Sequence, residues 1–168
     1  MRAGGFIALL LADECPLAAP SQLITAQPRS VVSHTFAMPS ARETREVVQL
    51  KGGGKLQVNL SGCEYVVMAI RYETKGPWLA TADARGAYRL AADALAALAS
   101  TRAATVFDLV KAEKALRRAA AGSATPKPSE EIPVPDGMEP PPYVSVERWG
   151  TEASHRRFVE VRLVWGPA

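Results

Sequence analysis

Histidine and cysteine are scarce: the chain has two of each in 168 residues. Two cysteines exclude a dense disulfide framework, and no pair of cysteines or histidines has the Cys-x-x-Cys or His-x-x-x-His spacing of a zinc site. An excess of one charge is lacking too. Lys and Arg number 20 against 17 Asp and Glu, a net charge of +3. That field is too weak to imply nucleic acid or an anionic membrane as a partner. No apolar run reaches the roughly 18 residues a spanning helix needs, so the mature chain is expected to carry no transmembrane segment. Gly-x-Ser-x-Gly, His-Glu-x-x-His and the dinucleotide fingerprint are all missing. Gly52-Gly53-Gly54 lacks the strand-to-helix setting and the following Lys-Ser/Thr of a phosphate loop, and reads as a turn. No metal or cofactor is expected.

What remains is the composition of a globular domain, 48% hydrophobic and 22% charged, too apolar for a disordered chain. Its centre is Tyr65 to Ile70, an unbroken apolar run flanked by charge. Such a run predicts a strand in the middle of a sheet, buried on both faces. Upstream, Thr44–Leu50 and Leu56–Leu60 alternate polar and apolar residues around the triple glycine. With Ser61-Gly62 as the next turn, residues 44–73 are expected to form a three-stranded antiparallel meander.

Downstream, an Ala- and Leu-rich stretch from about Leu79 to Ser100 repeats at helical spacing, with Gly86 weakening its first turns so that the helix starts near Ala87. Thr105-Val106-Phe107-Asp108 reads as a capping box opening a second helix, which Gly122 ends. Seven prolines between residues 123 and 142 predict an extended connector, with Glu131–Val134 able to lie on a sheet edge. Tyr143–Trp149 and Arg156–Trp165 then form a final hairpin. The expected fold is α+β: a mostly antiparallel sheet of about five strands, in the order β-β-β-α-α-β-β, with two helices packed on one face. Its expected extent is 27–168, with Leu23–Thr25 and Val31–Phe36 as short edge strands of a loosely structured lead-in.

Residues 1–26 resemble a secretory signal, with Arg2 ahead of a compact apolar region at residues 4–12. Cleavage is expected after Ala12 or near Ala26. The alternative is an amino-terminal strand or helix packed in the core of a cytoplasmic protein. Export makes a disulfide between Cys15 and Cys63 the first expectation for the thiols. A catalytic Cys63, with His155 as its base, is the alternative, though neither histidine stands in a sequence context for it. His34 and His155 read as surface residues. The carboxylates show no pairing, and the basic stripe Lys111, Lys114, Arg117 and Arg118 reads as a solvated helix face.

Trp78, Tyr143, Trp149 and Trp165 are rigid aromatic groups of the kind that anchor interfaces. The apolar side chains on the uncovered side of the central strand likewise call for a partner, another protein or a second copy. Together these features predict a non-catalytic, exported (periplasmic or secreted) bacterial protein-binding module, an inhibitor or immunity-type partner. A small hydrolase or thiol enzyme using Cys63 is the alternative.

Overall fold

The computed structural model describes residues 20–26, 28–135 and 137–166. Seven strands and two helices follow one another as β1 (Val31–Ser40), β2 (Glu43–Leu50), β3 (Lys55–Gly62), β4 (Val66–Lys75), α1 (Ala84–Ser100), α2 (Leu109–Ala121), β5 (Ile132–Pro133), β6 (Tyr143–Thr151) and β7 (Arg156–Trp165). One antiparallel sheet takes them in the order β1-β2-β3-β4-β7-β6-β5. The α+β class and the meander are as the periodicity predicts. Two further strands raise the count from about five to seven. β1 is a full ten-residue strand, and β5 is a two-residue edge on β6.

β4 is the middle strand, and its ten-residue pairing with β7 joins the two halves of the chain. It is buried on one face only. Met68 and Ile70 are sealed beneath the helices, while Val67, Ala69 and Arg71 are half-buried on the other face and Tyr65 is 49% exposed. Helices cover one side, so the opposite side chains meet water, and that side turns charged from Arg71 onward.

α1 begins at Ala84, earlier than Gly86 would suggest, because Asp83 caps it: the Gly86 N–H donates to Asp83 Oδ1 at 2.8 Å. A Cβ at residue 86 would lie 2.1 Å from Asp83 Oδ2, so this glycine makes room for the cap instead of delaying the helix. α2 is capped by Asp108, which accepts from the Lys111 N–H at 2.9 Å. Thr105 instead accepts from the Phe107 N–H at 3.2 Å in the preceding turn, which lets Phe107 bury itself just ahead of the helix. The backbone hydrogen bond from Lys111 holds the Asp108 carboxyl below its usual pKa. Gly122 ends the helix as expected, but in extended backbone (φ −62°), so no left-handed cap is needed.

α1 lies on β4, β6 and β7, and α2 packs on α1 and reaches β5 and β6. Tyr88, Ala91, Ala92, Leu95 and Leu98 of α1 are fully buried against Met68, Val144, Val146, Val159 and Leu163. The helices leave β1–β3 to another cover. Leu23 and Ile24, 3% and 1% exposed, pack over that half without forming a strand. Their amides end on a carboxylate: Glu46 Oε1 accepts from Leu23 N at 2.5 Å and Oε2 from Ile24 N at 3.3 Å.

Candidate functional site

The Gly52-Gly53-Gly54 turn is a hairpin, with φ of +93° and +85° at its first two glycines and Leu50 N bonded to Gly54 O at 2.8 Å. At the same end of the sheet, the loop after β4 is pinned by Leu79, whose N–H donates to Thr151 Oγ1 at 2.9 Å. Leu79 is buried and its neighbour Trp78 is thrown outward, 71% exposed. Trp149 of β6 stands behind it, with its indole N–H donating to Thr81 O at 3.0 Å and 8% of its surface exposed. Between the loop and β6 lies an open groove of about 570 Å³. Trp78, Trp149, Phe158 and Pro128 give it apolar walls, and Glu147 and Arg148 a charged rim.

Phe158 links the groove to a charge network on the uncovered sheet face. The Arg71 guanidinium lies 4.3 Å from its ring centroid. Arg71 bonds Glu73 at 2.9 Å, Glu160 at 2.6 Å, and Glu152. Burial alone would lower the Arg71 pKa, but hydrogen bonds to Glu73 and Glu160 outweigh it and the net shift is upward. Glu73, Glu152 and Glu160 thus converge on one guanidinium, a gathering that no local spacing in the sequence shows. Register explains why it was missed: Arg71 and Glu160 are cross-strand partners from positions 89 residues apart.

Among the four aromatic residues singled out from the sequence, the fold brings Trp78 and Trp149 together. Tyr143 and Trp165 sit at the other end of the sheet, where Tyr143 pairs with Val164 and Val66 with Trp165. Burial raises the Tyr143 pKa, and Trp165 Nε1 is buried with no hydrogen-bond partner among the described residues.

Cys63 lies in the β3–β4 turn, near the Trp165 end of β7. His155 occupies the β6–β7 turn at the Arg156 end, exposed and with φ +57°. A ten-residue strand separates the two, roughly 30 Å at the usual rise, so the fold does not assemble a Cys63–His155 pair. Cys63 is disulfide-bonded. Cys15, its expected partner, lies outside the described residues, as do residues 1–19 of the signal-like segment 1–26.

His34 is no surface residue. Its side chain is 15% exposed, and its Nε2 stands 2.6 Å from Glu46 Oε2, donating to the carboxylate. Glu46 itself is fully buried. The alternation of Glu46 with Val48 and Leu50 placed it on the core face, but nothing local showed what would satisfy it there.

The basic stripe on α2 is partly neutralised, since Arg117 bonds Glu113 at 2.8 Å and Asp93 at 3.0 Å. No group of three or more His, Cys, Asp or Glu that could hold a metal occurs among the described residues. No helix among them is long and apolar enough to cross a membrane. Compared with known protein families, curated proteins and solved structures, the chain matches none.

Proposed function

We propose that this chain is an exported, non-catalytic protein-binding module, an inhibitor or immunity-type partner of another protein, and that it binds through the groove beside Trp78. The observation that carries the reading is the exposure of Trp78, 71%, on a loop that Leu79 and Thr151 hold in place. A large ring kept in water by a fixed loop costs free energy, and a partner that covers it recovers that cost. Trp and Arg are among the residue types that most often anchor interfaces, and here Trp78 and Arg148 both line the groove. Ordered aromatic walls lose little side-chain entropy on binding.

The export half of the reading rests on the signal-like start and on the disulfide at Cys63, a bond that persists in oxidising compartments. Its partner on this reading is Cys15, the only other cysteine. Cleavage after Ala12 keeps Cys15 and the buried pair Leu23 and Ile24. Cleavage near Ala26 would strip all three, so the earlier site is the one proposed. A Cys63 thiol enzyme, the competing idea, needs a free thiolate with a base in reach.

Affinity capture from the envelope of the source cell, with wild type and Trp78→Ala side by side, tests the binding role. One stoichiometric partner should be retained by wild type, with affinity about tenfold or more lower for the variant. Equal capture by both chains, or none by either, rules the groove out. Intact mass of periplasmic material, before and after reduction, tests export and the bond separately.

A further inference from the structure

We infer that β1 is a self-association edge, through which two copies of this chain pair antiparallel into one continuous sheet. The inference concerns the far edge of the sheet and is independent of the groove. Among the described residues nothing is paired to the outer side of β1, and the helices pack over β4–β7, leaving that edge clear. The strand runs for ten residues, Val-Val-Ser-His-Thr-Phe-Ala-Met-Pro-Ser, without one Asp, Glu, Lys or Arg. Val32, Phe36 and Met38 on it are 57%, 38% and 53% exposed. Edges that must stay single are kept short, charged or broken by proline. The opposite edge obeys this rule. β5 is two residues long, one of them Pro133, and exposed Glu130 and Glu131 precede it. β1 has none of these protections within the span from His34 to Ala37, and its register shifts lie on either side, between Val31 and Ser33 and between Ala37 and Ser40.

The hydrogen-bond pattern says which groups are free. Leu50 N bonds Gly54 O, on the β3 side, so alternate residues Gln49, Val47 and Arg45 point their backbone at β1. Their partners Ser33, Thr35 and Ala37 point back. The outward amides and carbonyls are therefore those of His34, Phe36 and Met38. A two-fold axis at Phe36 sets these three against the same three of the second copy in reverse order. Phe36 then meets Phe36, and His34 meets Met38. All the pairs are of the hydrogen-bonded kind, about six bonds in total. The β1–β2 register shifts between Ala37 and Ser40, so Met38 sits at the margin of the regular ladder; Pro39 lies beyond the paired span, and its missing N–H removes no bond from it.

Neutrality selects the second copy as occupant. Self-pairing sets each residue against a copy of a neighbour, so any charge on the strand would meet a like charge close by, and β1 carries none. At about one hydrogen bond per 100–200 Å² the contact falls at the small end of interfaces, where association is weak and reversible.

The test uses sedimentation velocity over a concentration series together with amide hydrogen exchange at low and high concentration. Wild type should show a reversible monomer–dimer equilibrium, and the amides of His34, Phe36 and Met38 should gain protection as it dimerises, while those of Ser33, Thr35 and Ala37 should not change. Phe36→Lys and, separately, Met38→Lys should weaken the dimer about tenfold or more by setting cations into an apolar pairing. Both sites already meet water, so the monomers should keep the wild-type circular dichroism; using two variants guards against misfolding of either. A chain that stays monomeric to its solubility limit overturns the inference. So does a dimer that leaves the three outward amides unprotected, or an edge protected only when a foreign extended peptide is added.

Discussion

The two halves of the sheet are roofed by different chemistry. Over β4, β7 and β6 the cover is α1, an amphipathic helix whose buried side is wholly apolar apart from the Tyr88 hydroxyl. Over β2 and β3 it includes an irregular segment, Leu23–Ile24, whose backbone amides end on the buried Glu46 carboxylate. A helix satisfies its own backbone and can lie on an apolar face without further help. An irregular segment cannot, because each buried amide needs an acceptor. One carboxylate supplies acceptors to Leu23, Ile24 and His34 together. The lesson is that a polar residue at a core position in β2 is the counterpart of missing secondary structure in the cover above it.

Each cover can be broken separately, and the helix-covered half should be the more sensitive. Leu98→Ala removes a fully buried side chain of α1 and should cost about 2–5 kcal/mol, by lost burial and the cavity left behind. Denaturant unfolding should show the midpoint falling with an unchanged slope, since the whole domain shares that core. Glu46→Gln should cost less, about 1–3 kcal/mol, the range for leaving a buried group unsatisfied. Glutamine keeps the shape but has one acceptor oxygen where the carboxylate has two. The effect should also be local. Amide exchange at Leu23 and Ile24 should quicken well beyond any change in α1. Equal quickening in both places would show that the segment is not held separately.

The same contrast explains how far sequence reasoning reached. The meander, both helices and the final hairpin rest on local sequence pattern and all are present, but the helices start where Asp83 and Asp108 cap them, not at Ala87 or behind Thr105. β1 was seen only as Val31–Phe36 because its residues are exposed almost throughout, and an exposed edge has no alternation to read. Leu23–Ile24 looked like an edge strand because three apolar or β-branched residues in a row fit one. Their true role depends on Glu46, more than twenty positions away. In the groove, Trp78 and Trp149 were visible as candidates. Their convergence depends on Thr151 holding the loop at Leu79, a contact between distant residues with no local signature.

Tyr88 tests whether the helix-covered half has a polar tie of its own. Its hydroxyl donates to Lys127 O at 2.6 Å, fastening α1 to the proline-rich connector. Tyr88→Phe keeps the ring and removes that bond, so about 1 kcal/mol should be lost at neutral pH, the smallest of the three effects. Alkaline pH then separates the bond from the packing. Burial, with help from Glu130 and Glu147, pushes the Tyr88 pKa up to about 12 from the ordinary tyrosine value of 10.0. Between those values the folded chain keeps a proton that the unfolded chain has released, so unfolding gains on folding as pH rises. This contribution is fully present below pH 10 and is lost as pH climbs through 12. The wild-type advantage over Tyr88→Phe should therefore shrink between pH 10.0 and about 12 when both are unfolded in urea. In an ultraviolet titration the tyrosine that ionises last in wild type should be missing from the variant. An advantage that stays constant across that range would mean the hydroxyl titrates like an exposed one, and that the helix-covered half is held by packing alone.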